Sequence, residues 1–239
     1  MSGHSKWSTI KRAKEKTDQK RGKIFTKIGR EIAVAVKLGG DDPSLNSKLY
    51  DAIAKAKANN MPNDTIQRSI KKASGEMTGS NYEEILYEGY GPCGSAIMVE
   101  CLTDNKNRTA GDVRHLFDKY GAGLGTTNSV GYLFERKGVL TLEKNDSLNE
   151  EELFEMVLDA GASDLVSCDE VFEIYTEKDN FHTVKKALDE KGLSFVSANI
   201  AYVPNNLLEL EEADYEKFET LIDALEDLDD VQNVYHNVD

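Results

Sequence analysis

The apolar residues of this 239-residue chain change their spacing near Ser80, and the change separates two kinds of structure. Up to about residue 78 they recur every three or four positions, which is typical of amphipathic helices. Beyond Ser80, short apolar runs bounded by Gly, Pro and Asn alternate with helical patterns. We therefore predict an α+β protein with an N-terminal helical domain followed by α/β units.

Three helical patterns account for the first part. One covers residues 23–38, with an apolar residue at every fourth position, and Gly39-Gly40 ends it. Pro43 is expected to open the second helix, with Leu45 in its apolar stripe, and Pro62 the third. Residues 8–21 offer almost no apolar side chains and form a leading arm.

Two α/β units are predicted after Ser80. In the first, runs 85–90 and 95–102 form a hairpin, a capping box at Thr109 starts a helix, and 129–135 is a strand. In the second, the patterns predict strands at 138–142, 164–167, 171–176 and 194–203, and helices at 149–160 and 181–191.

One helix near Phe218 and one strand at 231–235 close the chain. The first unit lacks one helix and one strand to complete a β-α-β-β-α-β set, so we expect a discontinuous domain. The predicted fold is a helical domain I (1–78), followed by two ferredoxin-like domains. Domain II comprises 79–135 plus 206–239, and domain III, 136–205, is inserted in it.

Charge is distributed unevenly. Residues 1–80 contain 17 Lys and Arg against 8 Asp and Glu, whereas residues 81–239 contain 12 against 35, giving the net charge of −14. Such asymmetry indicates an anionic partner for the basic half. Residues 209–230 carry eleven Asp and Glu against Lys217 alone. We interpret that stretch as the solvated face of a helix; repulsion from a polyanion, or folding over the basic arm, are the alternatives.

The basic half holds the main candidate site. Provided that the helix continues through Gly22, six residues spaced four or three apart share one face, and four more flank it. The six are Arg12, Lys16, Lys20, Lys23, Lys27 and Arg30; the four are Lys6, Lys11, Lys14 and Arg21. Lys and Arg in such a row neutralise successive phosphates, so we predict that this face binds nucleic acid.

Trp7, the only tryptophan, lies at the start of the arm. It could stack on a base, as aromatic residues do in single-strand binding. Alternatively, it anchors the arm to domain I by burial, which is the interpretation we favour.

Lys106 and Arg108 are candidates for a secondary phosphate contact, in the turn Asn105-Lys106-Asn107-Arg108-Thr109 before a helix. We favour the simpler alternative, a turn in which the Asn side chains cap backbone groups.

Other chemistry finds little support. The three cysteines are far apart, and the four histidines lie in different segments without ligand spacing, so we expect neither a disulfide nor a metal site. The glycines of Gly121–Gly125 follow a helix, unlike a dinucleotide-binding loop. We expect no enzyme, no cofactor and no small-molecule substrate. No apolar run could span a membrane and no signal peptide is visible, so a cytoplasmic location is predicted.

Several motifs resemble the YebC/PmpR family over nearly the whole chain. They are Gly3-His4-Ser5-Lys6-Trp7, Lys20-Arg21-Gly22-Lys23-Ile24-Phe25-Thr26-Lys27, Gly39-Gly40-Asp41-Asp42-Pro43, Asn59-Asn60-Met61-Pro62, Tyr87-Glu88-Gly89-Tyr90-Gly91-Pro92, Leu102-Thr103-Asp104-Asn105-Lys106-Asn107-Arg108-Thr109 and Ser129-Val130 with Phe134.

The resemblance implies three domains, with the third inserted in the second, and no catalytic residues. It also implies a DNA-binding transcriptional regulator in the cytoplasm, or a translation factor that binds ribosomal RNA at the ribosome and helps the synthesis of proline-rich sequences. A protein–protein adaptor, with the arm on an acidic protein, is the alternative from another class.

The arm itself generates a prediction. Ile10 and Ala13 are the only apolar side chains of residues 8–21, so packing does not offset an ordering cost of about 1–2 kcal/mol per residue. Unless Trp7 pins it, we expect this arm to gain helix only when phosphates neutralise its lysines. Hydrogen exchange with and without nucleic acid measures this. Strong protection of residues 8–21 in the free protein would rule out coupled folding.

Overall fold

The computed structural model describes residues 18–75, 82–145 and 148–239, with side chains described from residue 22 onward. Three helices come first: α1 (Asp18–Gly39), α2 (Ser47–Ala58) and α3 (Asn63–Gly75). Their apolar stripes meet in one core that includes Ile28 and Ile32 of α1, Leu49 of α2 and Ile66 of α3. The helix periodicity therefore predicted the core of this region.

The connection between α1 and α2 differs from the prediction. Gly40 adopts a positive φ of 85° and its N–H bonds to the carbonyl of Val36, which ends α1. The next helix is opened by Asn46, whose side-chain oxygen accepts from the N–H of Leu49. Pro43 therefore does not start α2, and Leu45 is 84% exposed, outside the core.

The strands form two antiparallel sheets. Sheet A contains β1 (Glu83–Tyr90), β2 (Ala96–Thr103), β3 (Gly123–Leu124) and β8 (Val231–His236), in the order β3-β1-β2-β8. Sheet B contains β4 (Phe134–Glu143), β5 (Asp164–Ser167), β6 (Val171–Glu177) and β7 (Ser197–Pro204), in the order β5-β6-β4-β7.

Each sheet carries two helices. Sheet A is covered by α4 (Lys106–Tyr120) and α7 (Glu212–Glu226), and sheet B by α5 (Glu150–Asp159) and α6 (Phe181–Glu190). Sheet A is completed by β8, which pairs with β2 although the whole of sheet B lies between them along the chain. The α+β class and the discontinuous sheet are thus confirmed.

The two sheets differ in chain order. Sheet B follows the predicted β-α-β-β-α-β order, with β4 between β6 and β7. In sheet A the β1–β2 hairpin comes first, and the helices follow as α4 before β3 and α7 before β8. The glycine-rich turn after β1 is short, so β1 and β2 become neighbouring antiparallel strands in sheet A. In sheet B a helix follows β4 instead, and the next strand, β5, is separated from β4 by β6.

The faces of the sheets that carry no helices pack on each other. Met98 of β2 and Tyr235 of β8 contact a cluster with Val139, Tyr175 and Ala201 of sheet B, all of them buried. The rings of Tyr202 and Tyr235 meet edge to face at 5.3 Å. Alternation along β2 explains this arrangement: Ile97, Val99 and Cys101 face the helices, while Ala96 and Met98 face sheet B.

Two element boundaries correct the sequence analysis. The helix predicted from Thr109 begins three residues earlier, with Asn105 as its N-cap, so Thr109 lies inside α4. Residues 129–133 form a turn and a short 3-10 segment, and the strand starts at Phe134. Phe134 and Glu135 pair with Pro204 and Val203 in sheet B, so this sheet begins two residues before the expected boundary at 136.

Gly89 of β1 marks a close approach between sheet A and α4. A Cβ added there would lie 2.5 Å from the ring of Phe117, which is completely buried. We expect Gly89→Ala to lower the free energy of unfolding by about 1–3 kcal/mol, as overpacking does. Gly111→Ala in α4, where the added Cβ meets nothing, should raise it by up to about 1 kcal/mol. Urea denaturation measures both; equal effects would contradict the assigned packing.

Candidate nucleic-acid interface

Helix α1 continues through Gly22 without interruption. Lys20, Lys23, Lys27 and Arg30 therefore share one helix and one face, as the spacing predicted. The side chains of Lys20 and Arg21 are not described, and Lys6, Trp7, Lys11, Arg12, Lys14 and Lys16 lie outside the described residues. The structure thus describes the side chains of the C-terminal half of the predicted basic face, which are Lys23, Lys27 and Arg30.

Two of the lysines bind the C-terminal end of the acidic helix α7. Lys23 Nζ lies 2.8 Å from the carboxylate of Asp227 and also donates to the carbonyl of that residue at 3.1 Å. Lys27 Nζ donates to the carbonyl of Glu226 at 2.7 Å. The last carbonyls of a helix have no partner within the helix and carry partial negative charge. The lysines of α1 thus cap α7.

Burial changes the chemistry of Lys27. Removal of its ammonium group from water lowers its pKa from 10.5 to about 8, although the carboxylates of Glu226 and Asp229 oppose this. Among the described basic residues of this face, Lys27 is the one whose pKa burial lowers.

Arg30 reaches further along the same acidic stretch. Its Nη1 donates to the carbonyl of Asp229 at 2.7 Å and to the carboxylate of Asp230 at 2.6 Å. The guanidinium group also lies over the ring of Tyr82, 5.7 Å from its centroid. All three described basic residues of the face thus contact residues 226–230 or their immediate neighbours.

Asp230 is a buried carboxylate that several elements share. Besides Arg30 of α1, it accepts from Arg108 Nη2 at 2.7 Å, Thr109 Oγ1 at 2.7 Å and Thr103 Oγ1 at 3.1 Å. Its backbone carbonyl accepts from the N–H of Leu102 at 2.7 Å. One side chain therefore joins the helical region, the β2–α4 turn and the start of β8.

The balance of forces on Asp230 favours its charged form. Burial alone raises the pKa of a carboxyl group, but the hydrogen bonds from Arg108, Thr109 and Arg30 outweigh it and hold the pKa of Asp230 below 3.8. The network therefore holds a carboxylate, with its charge balanced by two guanidinium groups.

The secondary candidate residues are occupied by contacts within the chain. Asn105 accepts from the N–H of Arg108, so the capping turn is confirmed. Lys106 pairs with Glu83, and Arg108 pairs with both Asp104 and Asp230. Phosphate binding at Lys106 and Arg108 stays a prediction, and it would have to replace these carboxylates.

A second buried carboxylate, Glu88 of β1, shapes a loop. Its two oxygens accept from the N–H groups of Asn128, Val130 and Gly131 at 2.6–2.9 Å. Three backbone donors satisfy a carboxylate that is only 5% exposed. This explains why residues 128–131 turn rather than continue as a strand, and it brings together two of the motifs noted in the sequence.

The helical region also approaches sheet B. Asp51 of α2 lies 3.9 Å from Nε2 of His182 on α6. Burial raises the pKa of Asp51, while His182 and Lys185 counteract the shift. The basic helices thus contact both α/β parts, at α7 and at α6.

Residues 226–230 are interpreted from the sequence as part of a solvated acidic face, with folding over the basic arm as an alternative, whereas the structure places them against α1. Asp229 and Asp230 were hidden in a stretch of eleven acidic residues. The available signal was Asp230 immediately before a predicted strand, in a position too close to the apolar core for a merely solvated carboxylate.

Two absences hold for residues 18–75, 82–145 and 148–239. In those ranges no group of three His, Cys, Asp or Glu side chains could hold a metal ion. Likewise, no described helix is long and apolar enough to cross a membrane.

Fold and site together define a class: an α+β protein with a basic three-helix region attached to two antiparallel-sheet units, one built from separated chain segments. Family models agree with this division. The model described as the TACO1/YebC protein N-terminal domain matches residues 5–76, and that for the TACO1/YebC second and third domain matches 82–238. The chain belongs to the TACO1/YebC family.

Relatives match over nearly their full length. A protein of Acetivibrio thermocellus is 58% identical over 99% of this chain and 98% of its own, and one of Thermoanaerobacter pseudethanolicus is 56% identical over 100% and 97%. Both are named probable transcriptional regulatory protein. The crystal structure of a conserved hypothetical protein from Aquifex aeolicus matches with a TM-score of 0.85 and 44% identity, covering 94% of this chain and 92% of that one.

Asp230 provides the sharpest test of the network. We expect Asp230→Ala to lower the free energy of unfolding by about 3 kcal/mol, because it leaves Arg30, Thr103 and Thr109 without their shared acceptor. Asp229→Ala is the matched control: this exposed residue contributes its backbone carbonyl to Arg30, so the change should stay within about 0.5 kcal/mol. Chemical denaturation measures both. A similar loss in the two variants would contradict the assigned role.

The same carboxylate predicts a pH dependence. Because the folded-state pKa of Asp230 lies below 3.8, its contribution to stability is present above the unfolded-state pKa and is lost as pH falls through the folded value. Between pH 5 and pH 2 the wild type should lose more stability than Asp230→Asn does. Parallel curves for the two proteins would show that Asp230 is not the titrating group.

Proposed function

We propose that this protein is a nucleic-acid-binding regulator of gene expression and that duplex DNA is its ligand. The observation that carries the proposal is the segregation of charge: residues 1–80 have a net charge of +9 and residues 81–239 a net charge of −23. A basic region on an acidic body faces a polyanion in one orientation only. The names of the relatives support a role in transcriptional regulation.

The geometry of α2 and α3 favours DNA. Four residues, 59–62, connect the two helices, with Asn60 in the left-handed region at φ 56° and Met61 buried. Two helices joined by so short a turn are the elements of many DNA-binding modules, in which the second helix enters the major groove. The sequence carries no recognisable helix-turn-helix signature and no zipper, which argues against sequence-specific reading of a duplex.

The exposed side of α3 has suitable chemistry. Its apolar residues Ile66 and Ile70 are buried, which turns Arg68, Lys71 and Lys72 to solvent. Within the described ranges none of these three has a carboxylate partner, in contrast to Lys23 and Arg30. Arg and Lys bind phosphates and the acceptors of guanine, so α3 is a candidate contact surface.

The predicted arm adds a second surface. Three basic residues precede the part of the basic face that contacts residues 226–230. They are Arg12, Lys16 and Lys20. We propose that they neutralise phosphates while α3 sits in the groove, a division between positioning and recognition that many DNA-binding proteins show. RNA at the ribosome, and an acidic protein partner, are the competing ligands that the experiment must distinguish.

Fluorescence anisotropy with labelled duplex DNA and single-stranded RNA over a range of salt tests the proposal. Neutralising each phosphate contact should change the slope of log K against log salt by about 0.9 for duplex DNA. Arg12→Gln/Lys16→Gln/Lys20→Gln and Arg68→Gln/Lys71→Gln/Lys72→Gln should therefore each flatten the slope by roughly 3.

The matched control removes the same charge at exposed positions in the part of the chain that forms sheet B. It is Lys178→Gln/Lys186→Gln/Lys191→Gln. It should leave the slope unchanged. Tighter binding of RNA than of DNA would transfer the proposal to a translation factor. If neither nucleic acid binds at low salt, the proposed function is wrong and the protein–protein adaptor is the remaining candidate.

A further inference from the structure

The described part of the basic face of α1 contacts a single acidic segment. Lys23, Lys27 and Arg30 together contact three backbone carbonyls and two carboxylates within residues 226–230. We name residues 226–230 the acidic cap. Side chains that the sequence assigns to phosphates are thus engaged by oxygens about 200 positions further along the same chain.

The acidic cap offers the chemistry of a phosphate backbone. A phosphate strand presents anionic oxygens in a row, and Lys and Arg contact them without reading sequence. The acidic cap presents the carboxylates of Asp227 and Asp230 beside carbonyls that bear the negative end of the α7 dipole. Lys23 and Arg30 cannot use the same donor groups for both.

We propose that the acidic cap is an intramolecular competitor that occupies the basic face of α1 until nucleic acid displaces it. The proposal rests on the proposed function, since it concerns the regulation of the same face. While the acidic cap contacts α1, only the arm and α3 bind the polyanion. Once the acidic cap is displaced, Lys23, Lys27 and Arg30 bind it as well.

The contacts are graded in a way that permits release. The ion pair of Lys23 with Asp227 is at the edge, with the two side chains 43% and 50% exposed, and such pairs are weak. Arg30 and Asp230 are more enclosed, at 17% and 9%. Burial lowers the pKa of Lys27 to about 8, so its ammonium group gains hydration when it leaves the acidic cap.

Competition has a measurable cost in affinity. A binding-competent state that is populated in about a tenth of the molecules reduces the apparent affinity about tenfold. Weakening the acidic cap should therefore tighten the binding of nucleic acid. A general loss of negative charge would also tighten binding, so the control must remove the same charge elsewhere on α7.

The experiment compares Asp227→Asn/Asp229→Asn in the acidic cap with Glu212→Gln/Glu216→Gln near the start of α7. The first variant removes the carboxylate that pairs with Lys23 and a second charge, on Asp229, that attracts Lys27. All four residues are exposed, and each variant removes two charges from one end of the same helix. Affinity for a labelled 20-base-pair duplex and a 20-nucleotide RNA is measured by anisotropy, after circular dichroism has verified the fold. We expect roughly five- to tenfold tighter binding for the acidic-cap variant than for the control.

Hydrogen exchange supplies a second readout. The N–H groups of Asp227 and Leu228 close the last turn of α7, and that of Val231 bonds to the carbonyl of Leu228. If nucleic acid displaces the acidic cap, these amides within 227–231 should exchange faster in the complex than in the free protein. Equal affinities of the two variants, with unchanged or slower exchange at 227–231, would overturn the competition while leaving nucleic-acid binding in place. No binding by the wild type or by either variant would overturn the proposed function and the competition with it.

Discussion

A carboxylate buried beside an apolar core must be satisfied by donors, and at Asp230 these donors come from different parts of the chain. Arg30 belongs to α1, Thr103 is the last residue of β2, and Arg108 and Thr109 lie in the first turn of α4. An unsatisfied buried charge is expensive, so contact between the helical region, the start of α4 and the start of β8 stabilises Asp230 in its charged form. The placement of the basic helices depends on this requirement.

The core between the sheets applies a second constraint. Met98, Tyr175 and Tyr235 are buried only while the two sheets face each other. Sheet B therefore lies on the side of sheet A opposite α4 and α7. Because α7 is on the outer side, its C-terminal end is accessible to α1, and the acidic cap can form.

Sequence periodicity predicted much of this architecture. The helix expected from residue 23 already includes residues 18–22, of which 18–21 are part of the predicted arm. The β1–β2 hairpin, the sheet split by an intervening unit and the cores around Ile32 and Phe218 all follow from local patterns and their order. These features depend on neighbours a few residues apart, which a sequence displays directly.

The errors share one physical cause, because in each case a distant group decides the local structure. Thr109 resembles a helix cap, yet its hydroxyl bonds to Asp230 while Asn105 caps α4. Residues 129–133 alternate like a strand, but Glu88 binds their N–H groups in a turn. Similarly, the spacing of Lys23, Lys27 and Arg30 revealed their shared face and could not reveal that the end of α7 covers it.

The pairing of the last strand with the second has a consequence for the order in which the protein is made. Synthesis proceeds from the N-terminus, and all strands of sheet B are complete at Pro204, whereas sheet A waits for β8 at Val231–His236. Domains fold as their segments emerge. The nascent chain therefore passes through a stage in which the basic helices are complete but residues 226–230 have not been synthesised. At that stage Lys23, Lys27 and Arg30 lack the acidic partners that they have in the finished protein.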